Sequence, residues 1–369
     1  MKFLLLSCHT GEGHNRAAQA VKEELEGRGQ TCLLKDPVSF GFSGADRLVC
    51  DTYNSMIQKT PNLFGLVYRA GAAWSSTGVR SPVYLANSLY SSALNQFLEE
   101  EKIGAVLSTH LYGMQVMKAI NSFRKNPIPN YGILTDYTAI PFLQETKTDI
   151  LFTPHASLTP EIVRAGVQKE CIRPTGIPVQ STFRKPLDKS VSRSILKLPP
   201  DAKIILVMTG GVGCEKMSSI CDPLLNRGMY VCLFTGNNQN LKHRLTEYYK
   251  GQENHLRILG FTDQVSLYMN GADVLISKAG GLSSTEAAVA GIPLVHFCAI
   301  PGCESANARF FERFGLSFST SDPEKAAILA SWLANHPRAC EKMKERQKFV
   351  ISANAASQIA DLLLKGEGS

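Results

Sequence analysis

KFLLLSCHTGEGHNRAAQAVKEELEGRGQTCLLK, residues 2–35, changes hydrophobic period twice within one short stretch. Lys2–Ser7 carries the continuous apolar run of a buried strand, and Thr31–Lys35 repeats it. Between them, from about Asn15 to Gly27, Ala17, Val21 and Leu25 fall on one face at helical spacing. Two strands joined by a helix make a parallel crossover, the unit of a sheet covered by helices.

The same alternation extends along the chain. Ala105–Thr109, Tyr131–Leu134 and Ile150–Thr153 read as further strands, each next to a helical pattern. It pauses at Gly176-Ile177-Pro178 and through Pro199-Pro200, then restarts with Lys203–Met208, Tyr230–Phe234, Leu256–Leu259, Val274–Ser277 and Pro293–Phe297. The expected organisation is an α/β chain of two similar halves. Residues 1–178 form the first domain, 179–200 a linker and 201–345 the second domain. Residues 346–369 are expected to form a C-terminal helix able to pack back on the first domain.

Composition narrows the function classes. With 44% hydrophobic and 19% charged residues in 369, the chain can build ordinary cores and is neither disordered nor a polyelectrolyte. The net charge of +7 is spread along the chain with no basic tail of the kind that tracks nucleic acid. Ten cysteines occur singly, with no CxxC pair, which fits a reduced cytosolic chain better than a disulfide framework. The apolar run Phe3–Leu6 is shorter than a signal peptide needs, and no run reaches transmembrane length.

Glycine turns follow several strands. Gly11-Glu12-Gly13-His14 comes after the first, where backbone amides and a helix N-terminus can approach a ligand. A dinucleotide fingerprint would use Asp36 for ribose, but Arg16 stands where its third glycine belongs. His14 at this turn suits a general base, and equally a capping residue. Thr209-Gly210-Gly211-Val212-Gly213, with Gly211 and Gly213 as candidate donor-binding residues, suits a diphosphate or is an ordinary tight turn. Thr235-Gly236-Asn237-Asn238 adds a loop on the same sheet edge. Ser277-Lys278-Ala279-Gly280-Gly281-Leu282-Ser283-Ser284-Thr285-Glu286-Ala287 is the strongest motif. Ser283 and Glu286 form the S-x-x-E of a capping box; they also offer hydroxyl and carboxylate to phosphate and ribose.

From Thr52 to Leu98 there is no Asp or Glu. Lys59, Arg69 and Arg80 alternate there with Tyr53, Phe64, Tyr68, Trp74, Tyr84, Tyr90 and Phe97. The stretch reads either as core-facing helices or as a surface resting on an anionic membrane through Lys59, Arg69, Trp74 and Arg80.

Gly11-Glu12-Gly13-His14, Thr135-Asp136-Tyr137, Thr175 to Val179, Leu259 to Asp263, Gly280 to Ala287 and Pro301-Gly302-Cys303-Glu304-Ser305-Ala306-Asn307 occur in one order. In this series the chain resembles glycosyltransferase family 28, in the branch of monogalactosyldiacylglycerol synthases and processive diacylglycerol glucosyltransferases. The resemblance implies a GT-B fold, two Rossmann-like parallel-sheet domains facing across a cleft. It implies sugar transfer with inversion from a UDP-sugar to a diacylglycerol-type lipid, without metal or other cofactor. The site would be the cytoplasmic membrane face, with the protein peripheral on the inner leaflet. By position it makes His14 the base, Asp136 the nearby acid, and Gly11 and Gly13 the acceptor-side loop. Phe261 falls where uracil packs and Gly280, Gly281, Ser283 and Ser284 where phosphate is held. Glu286 falls where ribose is held, and Glu304 and Asn307 near the donor sugar, with Asn237 and Lys278 in adjoining donor loops. Three positions depart from the family pattern: Ile140 for a His, Gln180 for an Arg and Cys303 for a Gln. Two other readings share the fold, a UDP-sugar 2-epimerase and a nucleotide-sugar sensor that has lost catalysis.

Overall fold

The structure is a computed structural model that describes residues 1–8, 12–41, 66, 70–71, 73–75, 78–208, 210 and 215–365. It divides into two compact units, Met1–Gln180 with Ala353–Ser369, and Ser181–Ser352.

The first unit is built on six parallel strands: β1 Lys2–Leu6, β2 Thr31–Lys35, β3 Ala105–Ser108, β4 Asn130–Ile133, β5 Ile150–Thr153 and β6 Ile172–Pro174, in the order β2-β1-β3-β4-β5-β6. Helices cover both faces, so the strands are apolar without alternation. Along β1, Phe3 and Leu5 meet Val21 and Leu25 of the Glu12–Gly27 helix. Leu4 and Leu6 meet Leu94, Leu98, Val116 and Ile120 on the other side. The Ala355–Lys365 helix adds Ile359, Ala360 and Leu363 to the first of these cores. Arg28 donates to Ser357 Oγ at 2.8 Å and pairs with Asp361.

The second unit holds β7 Ile204–Met208, β8 Tyr230–Phe234, β9 Leu256–Leu259, β10 Val274–Ser277, β11 Leu294–Phe297 and β12 Phe318–Thr320. All are parallel, in the order β12-β11-β10-β7-β8-β9. Read from β9, this is the doubly wound order of a dinucleotide-binding sheet. Strand order reverses between β1 and β3 in one sheet and between β7 and β10 in the other, and at such switch points the loops beyond the carboxyl ends diverge to leave a crevice.

Three expectations change. The edge strands β6 and β12 have three residues each, too short to show a period. The 179–200 stretch carries the helices Ser181–Arg184 and Lys189–Leu196. Arg193 anchors the latter to the second unit, donating from Nε to the Gly271 carbonyl at 2.8 Å and from Nη2 to Asp273 at 2.9 Å. The 346–369 stretch is divided between the end of the Pro337–Val350 helix and the separate Ala355–Lys365 helix.

Tyr84 and Tyr90 of the acid-free stretch are core residues. Ser81 opens the Pro82–Ser88 helix there, and its amide and hydroxyl both donate to the buried Glu145 carboxylate at 2.6 Å. Trp74 is 46% exposed, and the Arg80 guanidinium lies over the Tyr84 ring at 5.3 Å. Lys59 and Arg69 lie outside the described residues.

Candidate active site

In the first unit the β1/β3 switch point carries a histidine pair. The Glu12–Gly27 helix begins three residues earlier than its hydrophobic period indicates, so Gly13 and His14 lie in its first turn. His14 Nδ1 is 2.8 Å from the Thr109 carbonyl, and Thr135 Oγ1 lies 3.1 Å from the same nitrogen. A carbonyl only accepts, so Nδ1 carries the proton and Nε2 keeps the lone pair a base requires. Desolvation lowers the His14 pKa below its ordinary value. The charge of Asp136 and the bond to Thr109 oppose that shift. The imidazole is therefore neutral at physiological pH, with a carboxylate near enough to favour the imidazolium once a proton arrives. Gly11 lies outside the described residues.

Sequence reasoning missed His110. Its ring stands perpendicular to that of His14, centroids 4.7 Å apart, and its Nδ1 accepts from the Tyr112 amide at 3.3 Å. Burial and the neighbouring His14 hold its pKa well down. A histidine directly after a strand end was the available signal, but only strand order puts β3 beside β1.

In the second unit the loop after β7, with Gly211 and Gly213, lies outside the described residues. The loop after β10 leads into the Gly281–Ala290 helix, whose N-cap is Gly280, with no side-chain cap. This overturns the capping-box reading, since Ser283 is the third residue inside the helix and cannot cap it. The first bond that closes runs from the Ser284 amide to the Gly280 carbonyl at 3.0 Å. The amides of Gly281, Leu282 and Ser283 precede it, and a Cβ on Gly280 would meet nothing within 4 Å. Such an approachable helix N-terminus suits an anion.

The hydroxyls divide. Ser283 is half-buried, whereas Ser284 is wholly buried and placed 2.9 Å from His296 Nε2. Thr285 donates to the Gly281 carbonyl at 2.7 Å. His296 reaches Ser317 Oγ at 3.1 Å through its other nitrogen, and desolvation lowers its pKa to about 3. Ser284, expected at phosphate, is thus turned to the core. Glu286 is 1% exposed, one turn further along the helix.

Lys278 Nζ lies 3.2 Å from Glu304 Oε1, and Glu304 Oε2 accepts from the Ile300 amide at 2.9 Å. Asn307 donates to the Ala279 carbonyl at 2.9 Å. These bonds tie the loops after β10 and β11 together. Phe261 after β9 is 53% exposed, and Asn237 after β8 is exposed. Lys278, Gly280, Gly281, Ser283, Glu304, Asn237 and Phe261 therefore follow the carboxyl ends of β8, β9, β10 and β11 in one sheet. Gln180, at a departing position, donates to Glu23 at 2.8 Å. Among the described residues no three His, Cys, Asp or Glu side chains are grouped to hold a metal ion. Among them, too, no helix is long and apolar enough to cross a membrane.

The family model for monogalactosyldiacylglycerol (MGDG) synthase matches residues 14–179, and that for the glycosyltransferase family 28 C-terminal domain matches residues 204–363. The processive diacylglycerol β-glucosyltransferase of Bacillus licheniformis is 24% identical over 371 residues, covering 99% of this chain and 95% of the relative. MurG of Acinetobacter baumannii superimposes with a TM-score of 0.64 at 18% identity, covering 99% of both chains. The S. aureus MnaA–UDP structure gives 0.64 at 13% identity, covering 98% of this chain and 95% of that one. At these identities the two structures show a shared fold.

Proposed function

Because the chain belongs to glycosyltransferase family 28, in its monogalactosyldiacylglycerol synthase-like branch, we propose that it transfers a hexose from a UDP-sugar to a diacylglycerol-type lipid with inversion. The observation that carries this reading is the placement of both motif sets at the switch points of their sheets. One supplies a neutral imidazole with its Nε2 lone pair, the other an approachable helix N-terminus. In the proposed step the lipid hydroxyl oxygen forms the bond to the anomeric carbon as the bond to the UDP oxygen breaks. The hydroxyl proton passes to His14 Nε2, and Asp136 stabilises the resulting imidazolium. The amides of Gly281, Leu282 and Ser283 offset the charge gathering on the departing diphosphate, which needs no metal in this reading. Phe261 offers a face to uracil and Glu286 its carboxylate to ribose.

Incubation with dioleoylglycerol and UDP-glucose, UDP-galactose or UDP-N-acetylglucosamine tests the proposal. UDP release above that of a His14→Ala control supports transfer; tight UDP binding without release favours the sensor. Glu286→Ala is expected to weaken UDP binding by about 1–3 kcal/mol, the cost of losing a charged hydrogen-bonding partner. Calorimetry reads this, with Glu286→Gln as a control for shape. Wild-type affinity in both variants would leave Glu286 as a core residue of its helix.

The lipid must be met at a surface, and we assign that contact to the acid-free stretch on the inner leaflet. Leu66, Trp74, Val79, Leu85 and Leu89 are exposed there, Leu89 at 86%. Basic residues near an anionic leaflet contribute about 1 kcal/mol each, enough for reversible, salt-sensitive attachment. Reversing the charge of Lys59, Arg69 and Arg80 together is expected to abolish co-sedimentation with anionic liposomes and to leave UDP binding intact.

A further inference from the structure

The second unit carries an apolar stripe that its own fold leaves uncovered. Leu187, Val191 and Ile195 are spaced four residues apart and are 49%, 46% and 55% exposed. Val191 and Ile195 lie one turn apart on one side of the Lys189–Leu196 helix, and Leu187 precedes its cap residue Asp188. The opposite side of the Lys189–Leu196 helix is occupied, since Ser192, Arg193 and Leu196 are its buried residues and Arg193 holds Gly271 and Asp273. Val191 and Ile195 therefore face away from the unit that anchors the helix, while Leu187 lies beside it.

Its surroundings are basic. Between residues 184 and 203 there are six Lys or Arg and two acids. Lys185, Lys189, Lys197 and Lys203 are exposed. One of the acids, Asp188, is engaged as the helix cap, accepting from the Ser190 amide at 2.8 Å and its hydroxyl at 2.6 Å. Lys189 Nζ lies 2.5 Å from Asp273, which leaves Lys185, Lys197 and Lys203 as the outward charges.

A cavity of about 370 Å³ adjoins the stripe at Leu187. Ile292 and Leu333 supply apolar wall, and Lys203, Lys344, Asp273 and Glu341 also line it, with Glu341 2.9 Å from Lys344 and Asp273 paired with Lys189. Lys203, Asp273 and Pro293 place it at the amino ends of β7, β10 and β11, the sheet edge opposite the donor loops. On the helix surface, Val191 and Ile195 set among Lys185, Lys197 and Lys203 match an anionic bilayer, whose phosphates lie above its acyl carbons.

We infer that the Leu187–Val191–Ile195 stripe and its lysines form a second membrane contact, carried by the donor-binding unit and selective for anionic phospholipid. The inference rests on the membrane reading above and adds a contact that the acid-free stretch of the first unit does not contain. The linker helix then becomes part of the attachment.

The test uses the full chain with two vesicle preparations, equal parts phosphatidylglycerol and phosphatidylcholine, and phosphatidylcholine alone. Val191→Ser/Ile195→Ser is expected to lower partitioning onto the mixed vesicles by about tenfold, and Lys185→Glu/Lys197→Glu to do the same at low salt but not at high salt. UDP affinity and far-UV circular dichroism should remain those of the wild type in both. As an independent readout, Ile195→Trp should show quenching by brominated phosphatidylglycerol beyond that of the wild-type chain. If the wild type binds mixed vesicles while the serine variant binds equally and Ile195→Trp shows no added quenching, this contact is wrong and the first-unit contact stands. If the wild type ignores both vesicles at low salt, both membrane assignments fail together. A dimer in sedimentation equilibrium that the serine variant dissociates, with no added quenching, would give the stripe to a second copy of the chain and overturn the inference.

Discussion

Replacing His14 with alanine is expected to lower turnover by about 10²–10⁴-fold while leaving UDP affinity unchanged. The expectation follows from the bond between His14 Nδ1 and the Thr109 carbonyl, which assigns the proton to one nitrogen and basicity to the other. A side chain that accepts the attacking hydroxyl's proton acts in the transition state, so its loss appears in kcat rather than in donor binding. The pH profile gives the sign. Below its pKa the imidazole is protonated and cannot act, so kcat/KM falls on the acid side. Because desolvation lowers that pKa from 6.5, the midpoint of the acid limb should lie below 6.5. The Asp136 charge raises it, so Asp136→Asn should move the limb to still lower pH. Steady-state rates from pH 5 to 9 check all three. Loss of UDP binding in step with turnover would instead make His14 part of the donor pocket or of the fold.

The second large effect concerns stability in acid. His296 is 1% exposed between Ser284 and Ser317, and its folded pKa is about 3 against an ordinary 6.5. A depressed histidine means that the unfolded chain binds the extra proton. Stability is therefore complete above about pH 6.5 and is lost as pH falls toward 3. At about 1.4 kcal/mol per pKa unit, His296 alone should remove about 3 kcal/mol between pH 7 and pH 4. Urea unfolding of wild type and His296→Asn at both pH values isolates this share. The variant should start about 1–3 kcal/mol less stable at pH 7, having lost buried hydrogen bonds, and then decline less steeply. Parallel declines in the two proteins would show that His296 is not the group that titrates. Because Ser284 belongs to the helix whose first amides face the proposed diphosphate, the same variant should also loosen UDP binding near neutral pH.

The linker helix shows how far local pattern reaches. Pro186, Pro199 and Pro200 interrupt any period, so 179–200 reads as a hinge in sequence. The Lys189–Leu196 helix persists because Arg193 finds Gly271 and Asp273, nearly eighty residues away. Tyr84 and Tyr90 make the converse point. Their alternation with basic residues suits a membrane surface, yet both rings are buried, Tyr90 in the core that also holds Leu4, Leu6, Val116 and Ile120, while Trp74 is exposed.

By itself the sequence determined the two α/β halves, the longer strands, the glycine turns at strand ends and the family to which their order belongs. These are properties of neighbouring residues, since a buried strand or an amphipathic helix writes its period into a few consecutive side chains. Only the tertiary structure decided which strands are neighbours, and hence that β1 meets β3 and β7 meets β10. It alone added β6 and β12, whose three residues are held by a partner strand rather than by a period of their own. It moved Ser283 inside its helix, whose N-cap is Gly280. It also gave Ser284 to His296 and brought His110 to His14. For the histidine pair the deciding partners are distant in the chain: Thr109 stands 95 residues from the His14 it orients. The energy of such a contact depends on strand order and burial, which are set by the collapse of the whole sheet, and no local run of residues encodes it.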